Sequence, residues 1–432
     1  MNIVIIGLGT AGFAAALEIK KKDRKANITI IDKKDYLLHS CGLPFVFEGK
    51  VKIEDLKHKI KGMFNIKADS EATNIDFKNK EVEYKNLKSN RKEKIKYDRL
   101  IIATGSFPFV PKIEGIKNKN VFTIHILEDI KKLKSALKNA KNIAIIGAGA
   151  IGLETAISLR KLNVTIIEML SCLLPKAIDE DISKILEEHL IKKGVKIILN
   201  KKLDKIKNKK IILDDKEINA DVVIIATGVK PNLELIRNSD IKVGEFGILV
   251  NEKMETKIKD VYAAGDCIEN YSLINKTNYP AFLANVAYKQ GTIAGTNALG
   301  GNLHYDGSLT TFASYIGIEI AATGFNSYFA KEYGYNIVIG KAKSKTKPEW
   351  YPNGKEITVK IIADSKTKKI LGCQAIGDGA ASRVNVVSAA IKAGFTLKDL
   401  SDIELAYCPA ISQSYDVLQQ AADIAIRKLN QK

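Results

Sequence analysis

Two stretches of this chain carry one pattern. "NIVIIGLGTAGFAAALEIKKK" from residue 2 returns as "NIAIIGAGAIGLETAISLRKL" from residue 142. Each opens on an apolar run short enough for a buried parallel strand. Each passes through a glycine-rich turn into an alanine-rich helix. A second β-branched run then ends in an acid, Asp32 after "ITII" and Glu168 after "VTII". A strand–turn–helix–strand unit of this kind, present twice, constrains the chain to an α/β fold with two dinucleotide-binding domains.

Each glycine has a separate job. Gly7 and Gly147 permit the tight turn, Gly9 and Gly149 admit a pyrophosphate close to the backbone, and Gly12 and Gly152 let the helix pack on the strand. Thr10 and Ala11 in the first turn, and Ile151 in the second, belong to the same phosphate-facing loops. The phosphates are expected at the helix N-terminus, where unpaired N–H groups and the helix dipole favour negative charge. Asp32 and Glu168 are expected to accept hydrogen bonds from an adenosine ribose. An acid there repels a 2′-phosphate, so Glu168 argues for NADH over NADPH.

A second echo follows. Ala103-Thr104-Gly105 comes after the apolar run of "YDRLIIATG", and Ala226-Thr227-Gly228 after that of "ADVVIIATG". Gly265 and Asp266 end the run "VYAAGD", and Asp266 is placed to accept from a flavin ribityl hydroxyl. Two nucleotide sites with these loops point to FAD beside a nicotinamide. "DEDISKILEEHLIKKG" sets Ile182, Ile185, Leu186 and Leu190 on a helical stripe closed by Gly194. From about residue 306 the character changes. "GKEITVKIIADSKTKKILGCQAIG" reads as two strands around a polar turn. "SRVNVVSAAIKAG" and a Thr396-capped "TLKDL" read as helices. The expected organisation is a discontinuous FAD domain (1–112 and 243–305), an NAD domain (113–242) and a C-terminal α+β domain (306–432) that packs or dimerises.

Composition narrows the function. A chain of 432 residues exceeds one hydrophobic core, and 46% hydrophobic with 27% charged residues suits an ordinary globular protein. The formal charge of +19 invites a nucleic-acid reading, but the lysines are dispersed and not interleaved with aromatics. No nucleic acid is expected, and a diffuse positive field favours anionic small substrates. The apolar start lacks a positive leader, and no other apolar run reaches membrane-spanning length. Five cysteines in so long a chain, with no CxxC pairing or zinc spacing, fit a reducing cytoplasm.

With these motifs, together with "SCGLPF", "WYPNGKEI" and "LAYCPAIS", the chain resembles the pyridine nucleotide-disulfide oxidoreductases along nearly its whole length. It is most similar to their single-cysteine branch: coenzyme A-disulfide reductases, NADH oxidases and peroxidases, and sulfur or persulfide reductases. The resemblance implies a homodimer in which the third domain completes the partner's site. Dithiol members carry CxxxxC and a C-terminal His-Glu pair. Here Val46 stands at the second cysteine position, and all five histidines precede the third domain. The resemblance makes Cys41 the lone redox thiol beside the flavin, with Ser40 among the flavin contacts. Pro44 predicts a helix beginning there, whose N-terminus would stabilise a thiolate.

The peroxidases and many oxidases carry a histidine in the first glycine turn, where this chain has Thr10. That departure favours the coenzyme A-disulfide reductases. By the same resemblance Lys20 and Lys21 would hold coenzyme A phosphates, and Tyr351 and Tyr407 would reach the redox cysteine. After Tyr407 the chain has Cys-Pro-Ala where the family has Ala-Pro-Pro. Cys408 could then stand across the interface as a second thiol, or lie in the dimer core. Cys267 and Cys373 read as core. The expected function is FAD-dependent NAD(P)H reduction of a small disulfide or persulfide through Cys41. The alternatives are an NADH oxidase and a flavin module serving a protein electron carrier.

Overall fold

Residues Ile3 to Ile6 are buried, and so are Ile28, Ile30 and Ile31 opposite them. Burial on both faces is what an unbroken β-branched run needs, and it places these strands inside a parallel sheet. The computed structural model describes residues 1–60, 62–214 and 216–431. In it Asn2–Ile6 and Asn27–Ile31 run parallel, Ile3 opposite Ile28 and Ile6 opposite Ile31, joined by the helix Thr10–Lys22. The sheet is 5-stranded, in the order Val261–Ala263, Arg99–Ile102, Asn2–Ile6, Asn27–Ile31, Asn65–Lys67, and every neighbour is parallel.

The helix Ala284–Ala298 packs against Thr10–Lys22 through small residues. A Cβ on Gly291 would stand 2.2 Å from the Ala11 carbonyl oxygen, and one on Gly295 2.6 Å from that of Ala15. Glycine at both positions therefore sets how near the second helix comes. An antiparallel sheet of Ser70–Asp76, Glu81–Asn86 and Lys92–Lys96 is added to this unit. The unit comprises Met1–Leu43, Val51–Phe109 and Val229–Ser308.

The other unit comprises Pro44–Lys50, Val110–Gly228 and Leu309–Lys432. The second repeat builds its parallel sheet, ordered Val121–Phe122, Val222–Ile225, Asn142–Ile146, Asn163–Ile167, Lys196–Ile198. The helix Glu180–Lys192 buries Ile182, Leu186 and Leu190, leaves Ile185 partly exposed, and is followed by Gly194 at φ +87°. The C-terminal part is a 5-stranded antiparallel sheet, ordered Phe312–Tyr315, Glu319–Gly324, Ile370–Gly377, Glu356–Asp364, Ile337–Lys345. Helix Ala380–Ala393 ends at Gly394 in the left-handed region, and Thr396 and Asp399 cap Leu397–Ser401 reciprocally.

One lysine lies inside this sheet. Lys360 is 5% exposed, and its ammonium sits 2.7 Å from both Asp179 and Asp181. Asp179, at the N-cap position of the helix Glu180–Lys192, accepts from the backbone N–H and hydroxyl of Ser327 at 2.9 and 2.7 Å. The buried charge is thus matched by carboxylates that hold other bonds of their own. Among the described residues, no helix is long and apolar enough to cross a membrane.

Candidate active site

The first glycine turn needs glycine at two positions for opposite reasons. Gly7 has φ +106°, and a Cβ there would meet the Ala103 carbonyl oxygen at 2.2 Å. At Gly12 a Cβ would lie 1.9 Å from the Gly7 carbonyl oxygen. Gly9 differs: its φ is −84°, and a Cβ would meet nothing within 4 Å. The space beside Gly9 is therefore open, and a ligand can approach the backbone there. Gly9 is also the N-cap of Thr10–Lys22 and supplies no side-chain bond, which leaves first-turn N–H groups for a ligand.

The second turn repeats each feature. Gly147 has φ +105° and would clash with the Ala226 carbonyl oxygen at 2.5 Å. Gly152 would clash with the Gly147 carbonyl oxygen at 2.2 Å, and Gly149 meets nothing within 4 Å. Ile151, next to it, is 42% exposed. The two ATG loops are the floors of these turns. Ala103 N–H donates to the Ile6 carbonyl and Ala226 N–H to the Ile146 carbonyl, each at 2.8 Å. Gly105 and Gly228 both have positive φ, at 69° and 103°. Thr104 donates its hydroxyl to the Asn232 carbonyl at 2.8 Å, while Thr227 Cα lies 3.2 Å from the position of a Gly147 Cβ.

Both acids clamp their turns. Asp32 accepts from the backbone N–H groups of Leu8 (2.6 Å) and Lys34 (2.8 Å). Glu168 accepts from those of Ala148 (2.8 Å) and Leu170 (2.9 Å). Each carboxylate oxygen keeps a further lone pair, so a ribose hydroxyl can still be accepted. Sequence reasoning assigned these acids to the ribose and missed the clamp, which depends on the strand register that brings residue 32 to residue 8.

Asp266 follows the third apolar strand. It accepts from the Ser106 hydroxyl at 2.7 Å, and burial pushes its carboxyl above the usual range despite that bond. Gly265 has φ +86°, and a Cβ there would stand 2.9 Å from Ala11 Cβ, which brings this loop to the first turn. The Gly265 N–H donates to Gln290, whose amide donates to Asn270; the Tyr305 hydroxyl also donates to Asn270, at 2.6 Å. Gln290, Asn270 and Tyr305 carry no motif, and the sequence offered no signal for them. The open approach to Gly9, the clamped acid and the partly buried Asp266 fit an FAD. The open approach to Gly149 and Glu168 fit a nicotinamide dinucleotide.

The helix expected to begin at Pro44 does begin there, but as the short 3₁₀ turn Pro44–Glu48. Ser40–Gly42 is a separate 3₁₀ turn, in which Gly42 N–H closes on the His39 carbonyl at 3.0 Å and Leu43 N–H on that of Ser40 at 3.1 Å. Cys41 lies in the first turn, ahead of Pro44, so the expected dipole of a full helix is not there to act on it. Cys41 and Ser40 are exposed. Cys172, Cys267 and Cys373 are buried, and burial pushes all three thiols up, Cys172 to about 11.

The family model for pyridine nucleotide-disulphide oxidoreductases matches residues 1–291, and that for the family's dimerisation domain matches residues 311–418. The chain belongs to this family. It is 36% identical over 450 residues to a protein of Methanocaldococcus jannaschii named NADH oxidase, covering 100% of both chains. It is 34% identical over 435 residues to an NAD(P)H coenzyme A polysulfide/persulfide reductase of Pyrococcus horikoshii, covering 96% of each. Among solved structures, an NAD-dependent persulfide reductase from A. fulgidus superimposes with a TM-score of 0.96 at 33% identity, over 100% of this chain and 84% of that one. The protein is therefore an FAD-dependent NAD(P)H oxidoreductase.

In this oxidoreductase the remaining expected residues are scattered. The Lys20 ammonium donates to the Arg24 carbonyl at 2.7 Å and lies 3.5 Å from that of Ala26, so it ties the helix to the loop that follows it. Lys21 is exposed and sits 4.0 Å from Glu18. Tyr407 is 50% exposed. Tyr351 is partly exposed, with the Lys347 ammonium 5.2 Å from its ring centre. Gln413 ties the two tyrosine-bearing segments together by donating to the Lys345 carbonyl at 2.7 Å and that of Lys347 at 3.3 Å. Cys408 is exposed, and its carbonyl accepts from Ile411 and Ser412.

Proposed function

We propose that this enzyme reduces a small disulfide or persulfide, of the coenzyme A type, with Cys41 as its one redox thiol. The observation that carries the reading is the contrast among cysteines. Cys41 is exposed in a hydrogen-bonded turn of the unit that carries the first glycine motif, while three others are buried thiols. The names of the Pyrococcus and A. fulgidus relatives support the substrate class.

FAD would be held by Gly7, Gly9, Thr10, Ala11, Gly12, Asp32, Ser40, the Ala103-Thr104-Gly105 loop, Gly265 and Asp266. NAD(P)H would be held by Gly147, Gly149, Ile151, Gly152, Glu168 and the Ala226-Thr227-Gly228 loop, with Glu168 disfavouring a 2′-phosphate. Bound FAD supplies two-electron transfer between nicotinamide and thiol. Cys41 attacks the substrate disulfide, forms a mixed disulfide and releases one thiolate. Two electrons from NAD(P)H then cleave that mixed disulfide, restore Cys41 and release the second thiol. Lys21, exposed and only 4.0 Å from Glu18, would meet an anionic substrate; Lys20 would serve only with loss of its bonds to the Arg24 and Ala26 carbonyls.

We assign the FAD domain to 1–112 with 243–305, the NAD domain to 113–242 and a dimerising domain to 306–432. Tyr351 and Tyr407 of that domain would complete the thiol site of the partner subunit in a homodimer. The name of the Methanocaldococcus relative favours a second reading, NADH oxidation by oxygen. Thiol produced per NADH under anaerobic conditions separates the two. Cys41→Ser should retain flavin bleaching by NADH and lose disulfide turnover. Disulfide turnover at the wild-type rate in that variant would remove Cys41 from the reaction.

A further inference from the structure

Two of the chain's five histidines meet beside the redox turn. Tyr36–Leu38 and Lys57–Lys59 pair antiparallel, with Leu37 opposite His58. His39 N–H donates to the Leu56 carbonyl at 2.9 Å, which extends the pairing past the strand end. The register brings the His39 and His58 rings to 6.0 Å between centroids at 65°. Phe13 of the first glycine helix lies edge-on to His58 at 5.9 Å. His39 is the residue whose carbonyl closes the turn holding Cys41, and both imidazoles are exposed. The charged residues next to the pair along the chain are Lys57 and Lys59 on His58's strand, Glu54 and Asp55 in the turn before it, and Asp35 before Tyr36; Phe13, which meets His58 from the helix, is neutral. The Lys57 ammonium stands 5.7 Å from the Tyr36 ring centre.

Resting on the reading of Cys41 given above, we propose that His39 and His58 form an imidazole pair that gives a proton to the thiolate released when Cys41 opens an alkyl disulfide. The Cys41 sulfur forms a bond to one substrate sulfur, the substrate S–S bond breaks, and the departing sulfur takes the bonding pair. Cys41 is oxidised to the mixed disulfide as the departing sulfur is reduced to thiolate. One imidazolium transfers its proton to that thiolate and becomes neutral. The second, exposed ring lets the proton be replaced from solvent. An alkyl thiolate is a poor leaving group and gains from protonation, whereas an aryl thiolate leaves without it.

The test uses the flavin-loaded enzyme with His39→Gln, His58→Gln and the double variant. NADH-driven flavin bleaching confirms that each is folded. The expected result is a fall of more than about tenfold in kcat/KM for coenzyme A disulfide in the double variant. For 5,5′-dithiobis(2-nitrobenzoic acid) the value should stay within about twofold, since its thiolate leaves unaided. Equal losses on both substrates would make the pair structural, and no loss on either would make it idle; each overturns the proposal. Should the double variant not fold, the single variants carry the same comparison. If the wild type reduces neither compound, the substrate reading itself fails, and alkylation of Cys41 by iodoacetamide against pH still decides the pair. On this proposal an imidazolium comes to stand beside the thiolate and keeps it reactive at lower pH, so the double variant should shift the alkylation midpoint up by about one unit. Superimposable profiles would overturn the pair without reference to any substrate.

Discussion

Glu154 lies on the helix Ala150–Ser158, five residues beyond Gly149, and accepts the Ser314 hydroxyl at 2.7 Å. Burial pushes its carboxyl from 4.5 up to about 7, against the opposing effect of that hydrogen bond. Between pH 4.5 and 7 the folded protein therefore keeps a proton that the unfolded chain releases. Stability falls as pH rises through that window, and the loss is complete above the folded value. At about 1.4 kcal/mol per unit the full cost is about 3 kcal/mol, and about 2 kcal/mol once residual solvent contact is allowed for. Glu154→Gln keeps an acceptor for Ser314 and cannot ionise. The variant should match the wild type near pH 5 and exceed it at pH 8. Differential scanning calorimetry of both cofactor-loaded proteins should show a gap in Tm that widens by roughly 2–4 °C between those pH values. Parallel Tm curves from pH 5 to 8 would refute a carboxyl held neutral by burial.

Two other perturbations test the same architecture. Gly9→Ala adds a methyl group to open space, so the apoprotein's Tm should hold while FAD affinity, followed by flavin fluorescence, drops by about tenfold or more. Gly12→Ala places its Cβ 1.9 Å from the Gly7 carbonyl oxygen and should lower both; equal apoprotein stability in the two variants would contradict the separate roles. Lys360→Met leaves Asp179 and Asp181 without their buried cation and should cost about 3–5 kcal/mol in urea unfolding; a cost below about 1 kcal/mol would mean that the carboxylates find other partners.

The repeat made most of the fold legible, because a βαβ unit carries its own register, turn and packing rules within about thirty residues. Gly7, Gly12, Gly147 and Gly152 stand where backbone contact excludes a side chain, as their spacing implied. The capped C-terminal helices and the paired strands around residues 364–370 were also local signals. What escaped was set by distant register. Pro44 marked the start of a helix, but not that it would be one short 3₁₀ turn with Cys41 in a separate turn before it. The bonds of the Lys20 ammonium to the Arg24 and Ala26 carbonyls depend on the chain reversal there and were not legible. The His39–His58 contact needs the pairing of Leu37 with His58, and the Glu154–Ser314 bond spans 160 residues.

The paired acids show how one residue can answer to two constraints. Glu168 is proposed above to meet the ribose, and its carboxylate also holds the Ala148 N–H at 2.8 Å and so keeps its glycine turn closed. Removing the charge to admit a 2′-phosphate would weaken that clamp at the same moment. The same holds at Asp32, whose oxygen holds the Leu8 N–H at 2.6 Å. An acid at the end of the second strand is thus fixed first by the backbone geometry of its own turn. On the proposed ribose role of Glu168, a change of dinucleotide would need a replacement acceptor for Ala148 before it needs a cation for the phosphate.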